Sequence, residues 1–433
     1  MADIKVISEQ IRQQLAASHI DKADWRVSEV ETRELNAEGG EFTLFRTLFD
    51  NSVLVNVIKD QKRGTIHGND ISEEGVKKAV QDAIVSSESA MADEAYDIAP
   101  KQEYEVISKG TKEPDMEKFF SRVEELLQDV KEQYPKIQMM LGVASHKKIR
   151  NVYANTNGTE IEVNDGYYYV MLEFAGNDGE NTTGIDGIGV QMTDLDTRFI
   201  ELGSFRKHLE DAVASLHQIS VSEKFDDGTV ILTPDCLATF MYYLLSNTIS
   251  DKVILDNTSL WKDKLGEKVA DERVTLSIKP SDARIVGGEC VTADGYRTQD
   301  ITVIENGILK SHQLSLYVSN KTGRACAKNT SGAYIFEPGK DALADMIKNV
   351  KKGLIVGGFS GGQPSTSGDF SGVAKNSFYI ENGEIKGAVS ETMINGNLMD
   401  ILNHVEGISK EVVIDGGMVM PYMACSGIIV SGK

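Results

Sequence analysis

Apolar residues recur at Ile4, Ile7, Ile11 and Leu15, a helical spacing in a polar background, and predict an opening helix. From Trp25 to His67 the period shortens to two. Phe42, Leu44 and Arg46 share one parity and Thr43, Phe45 and Thr47 the other, and 52–59 reads as a buried strand. Helical spacing returns at Val76, Ala79, Val80, Ala83 and Ile84, and again at Phe119, Val123, Leu126, Leu127 and Val130. Between those two helices, 92–114 is polar, carries Pro100 and Pro114, and reads as connecting chain. Strands are expected at 137–143 and 148–154, then a turn at Asn157-Gly158, a strand at 159–163 and another at 167–174. An acidic loop, 176–187, precedes a fourth helix through Phe205, Leu209, Ala212, Val213 and Leu216.

Near Ser222 the pattern changes to denser turn signals and fewer helices. A strand at 229–232 and a buried helix at 237–249 come first, with helices at 341–351 and 397–404 and a last strand at 427–430. Two segments echo each other, VIENGILK at 303–310 and YIENGEIK at 379–386, each a strand, an Asn-Gly turn and a strand. Duplication and convergent turn chemistry both produce such a pair. Just before the second, 357–372 is rich in glycine and serine and reads as a long loop. The expected class is α+β: an N-terminal α/β domain over 1–221 and a β-rich, barrel-like C-terminal domain over 222–433.

Composition narrows the function. Net charge is −21 with Asp and Glu spread along the chain, a surface that repels phosphate backbones and argues against direct nucleic-acid binding. No run reaches the ~18 apolar residues of a membrane span. The first residues lack the basic-then-apolar layout of a signal peptide, so a cytoplasmic protein is expected. Cys236, Cys290, Cys326 and Cys425 are far apart without a CxxC pair and read as buried free thiols.

Self-sufficient chemistry is hard to find. Gly358-Phe359-Ser360-Gly361-Gly362 formally matches a G-x-S-x-G nucleophile elbow, but the residues after it cannot start a helix, which that motif needs. None of the seven histidines lies in H-E-x-x-H; His208 and His217, nine apart on one helix, read as surface or capping residues. A Ca²⁺ role for the acidic loop from Asp178 to Asp186 competes with an ordinary solvated loop. Gly184, Gly187 and Gly189 lack dinucleotide-fingerprint spacing.

An ordered series of segments carries more. Gly266-Glu267-Lys268-Val269-Ala270, Thr302 to Lys310, Gly353-Leu354-Ile355-Val356, Ser367-Gly368-Asp369-Phe370-Ser371, Tyr379 to Ile385 and Asn395-Gly396-Asn397-Leu398 together resemble the TldD/PmbA family, the so-called modulators of DNA gyrase. The N-terminal half is similar more loosely, through Asp70-Ile71-Ser72-Glu73 and the helix after it. The resemblance implies proteolysis of unfolded or small peptides. It also implies two kinds of subunit: a TldD type with an H-E-x-x-x-H zinc motif and a cysteine ligand, and a PmbA (TldE) type without it that pairs with TldD.

The chain falls on the PmbA side. Tyr242, Tyr243 and Asn247 stand where the zinc motif is expected, and an aromatic helix there should pack rather than ligate. Cys425 resembles part of a closing strand rather than the metal cysteine. Gly387-Ala388-Val389 and Ala374-Lys375-Asn376 depart from the family pattern. The resemblance thus implies no catalytic residue and no cofactor or metal in this chain, with zinc in a TldD-like partner. Gly357, Gly358, Ser360, Gly368, Asp369, Phe370, Ser371, Asn382, Gly383, Asn395 and Asn397 are the candidates for lining a substrate channel. Expected partners are a TldD-like subunit or a second copy, and an unfolded peptide, with neither nucleic acid nor membrane. The rival expectation is a non-enzymatic regulatory protein of the gyrase-modulator kind.

Overall fold

Helix α1 (Ile4–Ala16) begins where the Asp3 carboxylate accepts a hydrogen bond from the Lys5 amide, and it buries Ile4, Ile7, Ile11 and Leu15. The structure, a computed structural model, describes residues 3–221, 223–329, 332–390 and 392–432; the expected boundary at Ser222 lies outside them. After α1 come β1 (Lys22–Glu38), β2 (Glu41–Lys59), β3 (Lys62–Gly68), α2 (Glu73–Ser89), β4 (Glu105–Ser108), α3 (Met116–Gln133), β5 (Ile137–Asn155), β6 (Glu160–Gly176), β7 (Asp186–Met192) and α4 (Phe205–Ala214). The strands form one sheet in the order β3-β2-β1-β5-β6-β4, with β7 also on β6. Every pairing is antiparallel except β4 on β6.

Two expectations change here. The strands foreseen at 137–143 and 148–154 are one, because Ala144 and His146 turn inward while Lys148 pairs across the sheet with Glu31 and reaches Glu113. The connecting chain 92–114 contains β4, too short for a periodicity to reveal. Helices cover the face bearing Trp25, Val27 and Leu35: α1 and α2 pack at the Trp25 end, α3 and α4 at the Leu35 end.

The second half contains β8 (Gln218–Ile219), β9 (Thr229–Leu232), α5 (Pro234–Thr248), α6 (Asp251–Leu255), β10 (Leu276–Ile278), β11 (Ile301–Glu305), β12 (Ile308–Leu309), α7 (Leu316–Thr322), β13 (Tyr334–Phe336), α8 (Leu343–Asn349), β14 (Lys352–Val356), β15 (Gly358–Gly361), β16 (Asp369–Lys375), β17 (Phe378–Glu381), β18 (Glu384–Val389), β19 (Met393–Asn397), α9 (Leu398–Asn403), β20 (Val405–Ile414), β21 (Val419–Cys425) and β22 (Ile429–Ser431). A large sheet runs β12-β11-β10-β13-β21-β9-β14-β17-β18-β8, with β20 also on β21, and a small one runs β15-β16-β19-β22. One apolar cluster joins them: Leu237, Phe240, Met241 and Leu244 of α5 meet Val230, Leu276, Phe336 and Leu354 from the large sheet and Phe370, Ile394 and Val430 from the small one. Two sheets wrapped around a buried helix give the barrel-like, β-rich half its core. The fold is α+β. Among the described residues, no helix is long and apolar enough to cross a membrane.

Both echoing segments are hairpins, β11–β12 and β17–β18, at opposite ends of the large sheet. Asn306 and Gly307 have φ of 48° and 78°, Asn382 and Gly383 54° and 78°, as a two-residue primed turn requires. Each turn glycine donates its amide back to the chain entering a neighbouring strand, Gly307 to Val274 (2.9 Å) and Gly383 to Val350 (2.8 Å). The loop foreseen at 357–372 is in part sheet: β15 pairs with β16, and 362–368 connects them. Loop-like composition conceals it, because Gly361 faces Gly372 and the Phe359 ring lies across that gap.

The two halves meet along a polar seam. Arg297 pairs with Glu105 (3.0 Å), Gln102 donates to Gly295 O (2.8 Å), Arg26 donates to Val291 O and Thr292 O (3.2 and 3.1 Å), and Asp93 receives Lys321 (2.8 Å).

Candidate functional site

Helix α5 is started by its sequence: the Thr233 hydroxyl accepts from the Cys236 amide, Pro234 takes the first turn where no amide is needed, and Asp235 complements the helix dipole. Its inner face is apolar and buried. The positions where the zinc motif was sought do not share one face, since residues five apart on a helix diverge by roughly 140°. Tyr242 there is 53% exposed, so the expectation that this aromatic stretch simply packs fails for it: the helix turns its ring away from the core. Tyr243 is half-buried against the core, with its ring 5.8 Å from that of Tyr242. Asn247 donates its amide to Pro364 O (2.9 Å) and Ser365 O (3.3 Å), tying α5 to the connection between β15 and β16.

That connection is a network. Gly368 has φ of 90°, and a Cβ there would stand 2.9 Å from Asn397 Oδ1, so the chain needs glycine. Asn397 donates to Ser367 O (2.8 Å) and to Asp369 Oδ1 (2.9 Å), while its own oxygen accepts from Met399 and caps α9. Ser367 donates to Asp369 Oδ2 (2.6 Å). Hydrogen bonds from Ser367 and Asn397 hold the exposed Asp369 carboxyl below its usual range. Beneath lie three rings: Phe240 of α5 is 5.5 Å from Phe359 and 4.9 Å from Phe370, and those two meet edge to face at 5.6 Å.

The structure thus brings together Gly368, Asp369, Phe370, Ser371, Asn395 and Asn397, with Ser371 paired to Asn395, while Gly357 and Gly358 lie at the far end of the β15–β16 hairpin, where Gly358 pairs with Lys375, about six residues or roughly 20 Å from Asp369, and Ser360 lies between. It does not bring Asn382 and Gly383: they turn at the opposite end of β14, beside Lys351 and Lys352, about five residues or roughly 15 Å away. Ser360 is exposed on β15, an extended strand with no helix after it and no histidine among its hydrogen-bond partners. The arrangement offers no nucleophile. It offers an edge. Strand β15 pairs with β16 on one side and with no strand on the other among the described residues.

A zinc ion does not fit what α5 presents. At the motif positions this helix supplies an exposed phenol, a half-buried phenol and an amide already committed to two carbonyls. The Cys236 and Cys425 thiols are fully buried, which pushes their pKa values up and keeps them neutral. Cys425 ends β21, in the middle of the large sheet rather than in a closing strand. Among the described residues, no group of three or more His, Cys, Asp or Glu side chains is placed to hold a metal ion.

Spacing alone missed one cluster. His208 of α4 is half-buried between two carboxylates, Nδ1 to Asp186 at 2.9 Å and Nε2 to Asp235 at 3.2 Å. Burial would lower its pKa, but the two hydrogen-bonded carboxylates outweigh it and push the value up to about 10. An imidazolium donating from both nitrogens joins α4 and β7 to the first turn of α5, and Thr233, Gly357 and Tyr422 line the same crevice. His208 is therefore neither a surface nor a capping residue, while His217 is exposed and meets Asp178 at 3.5 Å. The acidic loop spends carboxylates on these two histidines.

The fold and site define a class: an α+β protein with a buried aromatic helix beneath a small, open-edged sheet. Residues 226–432 match the PmbA/TldA metallopeptidase C-terminal domain and residues 23–87 its domain 1. A metalloprotease of Methanocaldococcus jannaschii is 24% identical over 92% of this chain and 91% of its own length. A metalloprotease PmbA homolog of Haemophilus influenzae is 22% identical over 98% of both chains. The crystal structure of TldE from Thermococcus kodakarensis superposes with a TM-score of 0.84 at 21% identity, covering 98% of this chain and all of that one. The chain belongs to the PmbA/TldD family.

Proposed function

We propose that this chain is a PmbA/TldE-type subunit of a cytoplasmic peptide-degrading system, holding an extended, unfolded peptide while a TldD-like partner supplies the zinc chemistry. The observation that carries this is the sequence of α5: where the zinc motif was sought it has phenols at Tyr242 and Tyr243 and, at Asn247, an amide committed to the connection between β15 and β16. A strand added to β15 gains main-chain hydrogen bonds whatever its side chains, which suits unfolded substrates. The Asp369–Ser367–Asn397 network fixes the connection that delivers β16, and the Phe240–Phe359–Phe370 rings stiffen the platform below.

Two measurements test it. Purified protein is expected to carry no stoichiometric zinc and to cleave no peptide alone, with cleavage appearing when a TldD-like protein is added. Stoichiometric zinc with chelator-sensitive cleavage by this chain alone would overturn the proposal, and gyrase retained from extract in place of a zinc-motif homologue would favour a regulatory role. Binding of an unstructured peptide is expected to weaken about tenfold when alternate amides are N-methylated, since those are the donors a sheet edge requires.

A further inference from the structure

The first sheet has a second face. Trp25 and Val27 point toward the helices, so Arg26 between them points away, opposite Tyr153 and diagonal to Asn151. Those two stand opposite Ile161 and Val163 on β6. The segment 287–291 of the second half covers this face: Cys290 and Val291 pack with Tyr153, Ile161 and Val163 in one apolar cluster. Beside the cluster lies a cavity of about 230 Å³, walled also by Arg26, Asn151, Asp165 and Glu289. Buried polar groups in a native fold are nearly always satisfied by protein, water or a ligand. Here Asn151 Oδ1 is buried without a partner. Arg26 uses only Nη2, on the carbonyls of Val291 and Thr292 (3.2 and 3.1 Å), and its guanidinium makes no ion pair among the described residues. Of the two carboxylates in the wall, Asp165 meets Lys109 (3.3 Å) and the Gly166 amide (2.8 Å), whereas the exposed Glu289 makes no ion pair among the described residues. A second cavity, of about 330 Å³, shares Gly287, Glu289 and Cys290 as lining, and in it the buried Thr298 hydroxyl is also unpartnered.

We propose that the smaller cavity binds an apolar zwitterion: an α-amino acid with a branched aliphatic side chain, or a dipeptide ending in one. The ligand carboxylate takes Nε and Nη1 of Arg26, a charge-assisted pair. Its α-nitrogen donates to Asn151 Oδ1, and its side chain lies on Ile149, Ile161 and Val163. The free charges select this class, because the wall leaves one cation and one anion uncompensated. A plain fatty carboxylate leaves Asn151 Oδ1 and Glu289 unanswered, and a phosphate sets two negative charges against one guanidinium with Glu289 nearby. The volume lies below the roughly 300 Å³ at which drug-sized sites begin, and it suits one or two residues. In a free amino acid the ammonium sits beside Asn151. In a dipeptide the amide N–H sits there, and the ammonium reaches toward Glu289 and the cavity that holds Thr298. This site lies on the first sheet, apart from α5 and β15, and stands or falls independently of any peptide held there.

Calorimetric titration of the full chain with leucine, glycylleucine, 4-methylpentanoate and leucinamide tests this. Leucine or glycylleucine is expected to bind with a Kd of about 1 mM or tighter. The pentanoate, which lacks the nitrogen, and leucinamide, which lacks the carboxylate, are expected to bind at least about tenfold more weakly. Tighter binding of glycylleucine identifies short peptides as the source of the ligand, and tighter binding of leucine the free amino acid. Asn151→Leu removes a buried oxygen that has no partner, so this variant is expected to melt no lower than the parent and yet to bind about tenfold less tightly. Arg26→Met is expected to weaken binding about tenfold or more. It also loses two bonds of the seam, so Asn151→Leu is the variant that separates a ligand contact from a structural one. A parent that binds none of the four, equal affinity for all of them, or binding undiminished in Asn151→Leu overturns the proposal.

Discussion

His208 shows how a single side chain can fasten two halves of a chain. Removing one partner from a fully buried, hydrogen-bonded charge cluster costs roughly 3–5 kcal/mol because the remaining charges are left uncompensated, and a half-buried cluster such as this one lies at or below the lower end of that range. His208→Gln is accordingly expected to lower stability by about 3 kcal/mol at neutral pH in urea unfolding. The dependence on pH has a definite sign. The folded pKa of about 10 lies above the ~6.5 of an unfolded histidine, so the contribution is fully present below about pH 6.5 and fades as pH climbs toward 10. Stability of the parent relative to the glutamine variant should shrink across that window. A difference that stays constant would mean the imidazole is neutral throughout. Sequence alone could not expose this residue, since Asp186 and Asp235 stand 22 and 27 residues from it and neither spacing has a local pattern. Tyr242 misleads in the opposite sense, being an aromatic on an apolar helix that points outward.

At the scale of elements, what a local period or turn marks was legible. The four N-terminal helices, the Asn-Gly hairpins and the buried stripe of α5 all declare themselves. What depends on pairing was not. Strand β5 needs Glu31 and Glu113 to carry Lys148 through the middle of a sheet, and β15 needs the ring of Phe359 folded across glycines that composition assigns to a loop. Asn247 is the link between α5 and that hairpin, so Asn247→Ala is expected to free the connection at 362–368. Its amide hydrogen exchange should rise about tenfold, equivalent to losing roughly 1.4 kcal/mol of local protection, while the core of α5 stays protected. Equal exchange in both proteins would show that the Asp369–Asn397 network suffices on its own.

At the scale of the molecule, the α+β class and the family were legible from the order of short segments. The candidate site was legible in part: Gly368 to Ser371 converge with Asn395 and Asn397, Gly357, Gly358, Asn382 and Gly383 do not, and the seam between the halves was invisible because its contacts join residues far apart in the chain, 193 positions for Gln102 and Gly295 and 265 for Arg26 and Val291. The strand order of the large sheet carries one more consequence. Strand β21, near the end of the chain, lies between β13 and β9, in the middle of that sheet rather than at its margin. A nascent chain that has already produced β9 through β20 still has two exposed strand edges waiting for a filler that is synthesised almost last. Loop closures of this span are slow and leave such edges open to wrong partners. The second half of the protein therefore cannot mature strand by strand as it emerges during translation; its sheet closes only once synthesis is all but complete, and a chain cut short before Val419 would be a template for aggregation rather than a shorter version of the fold.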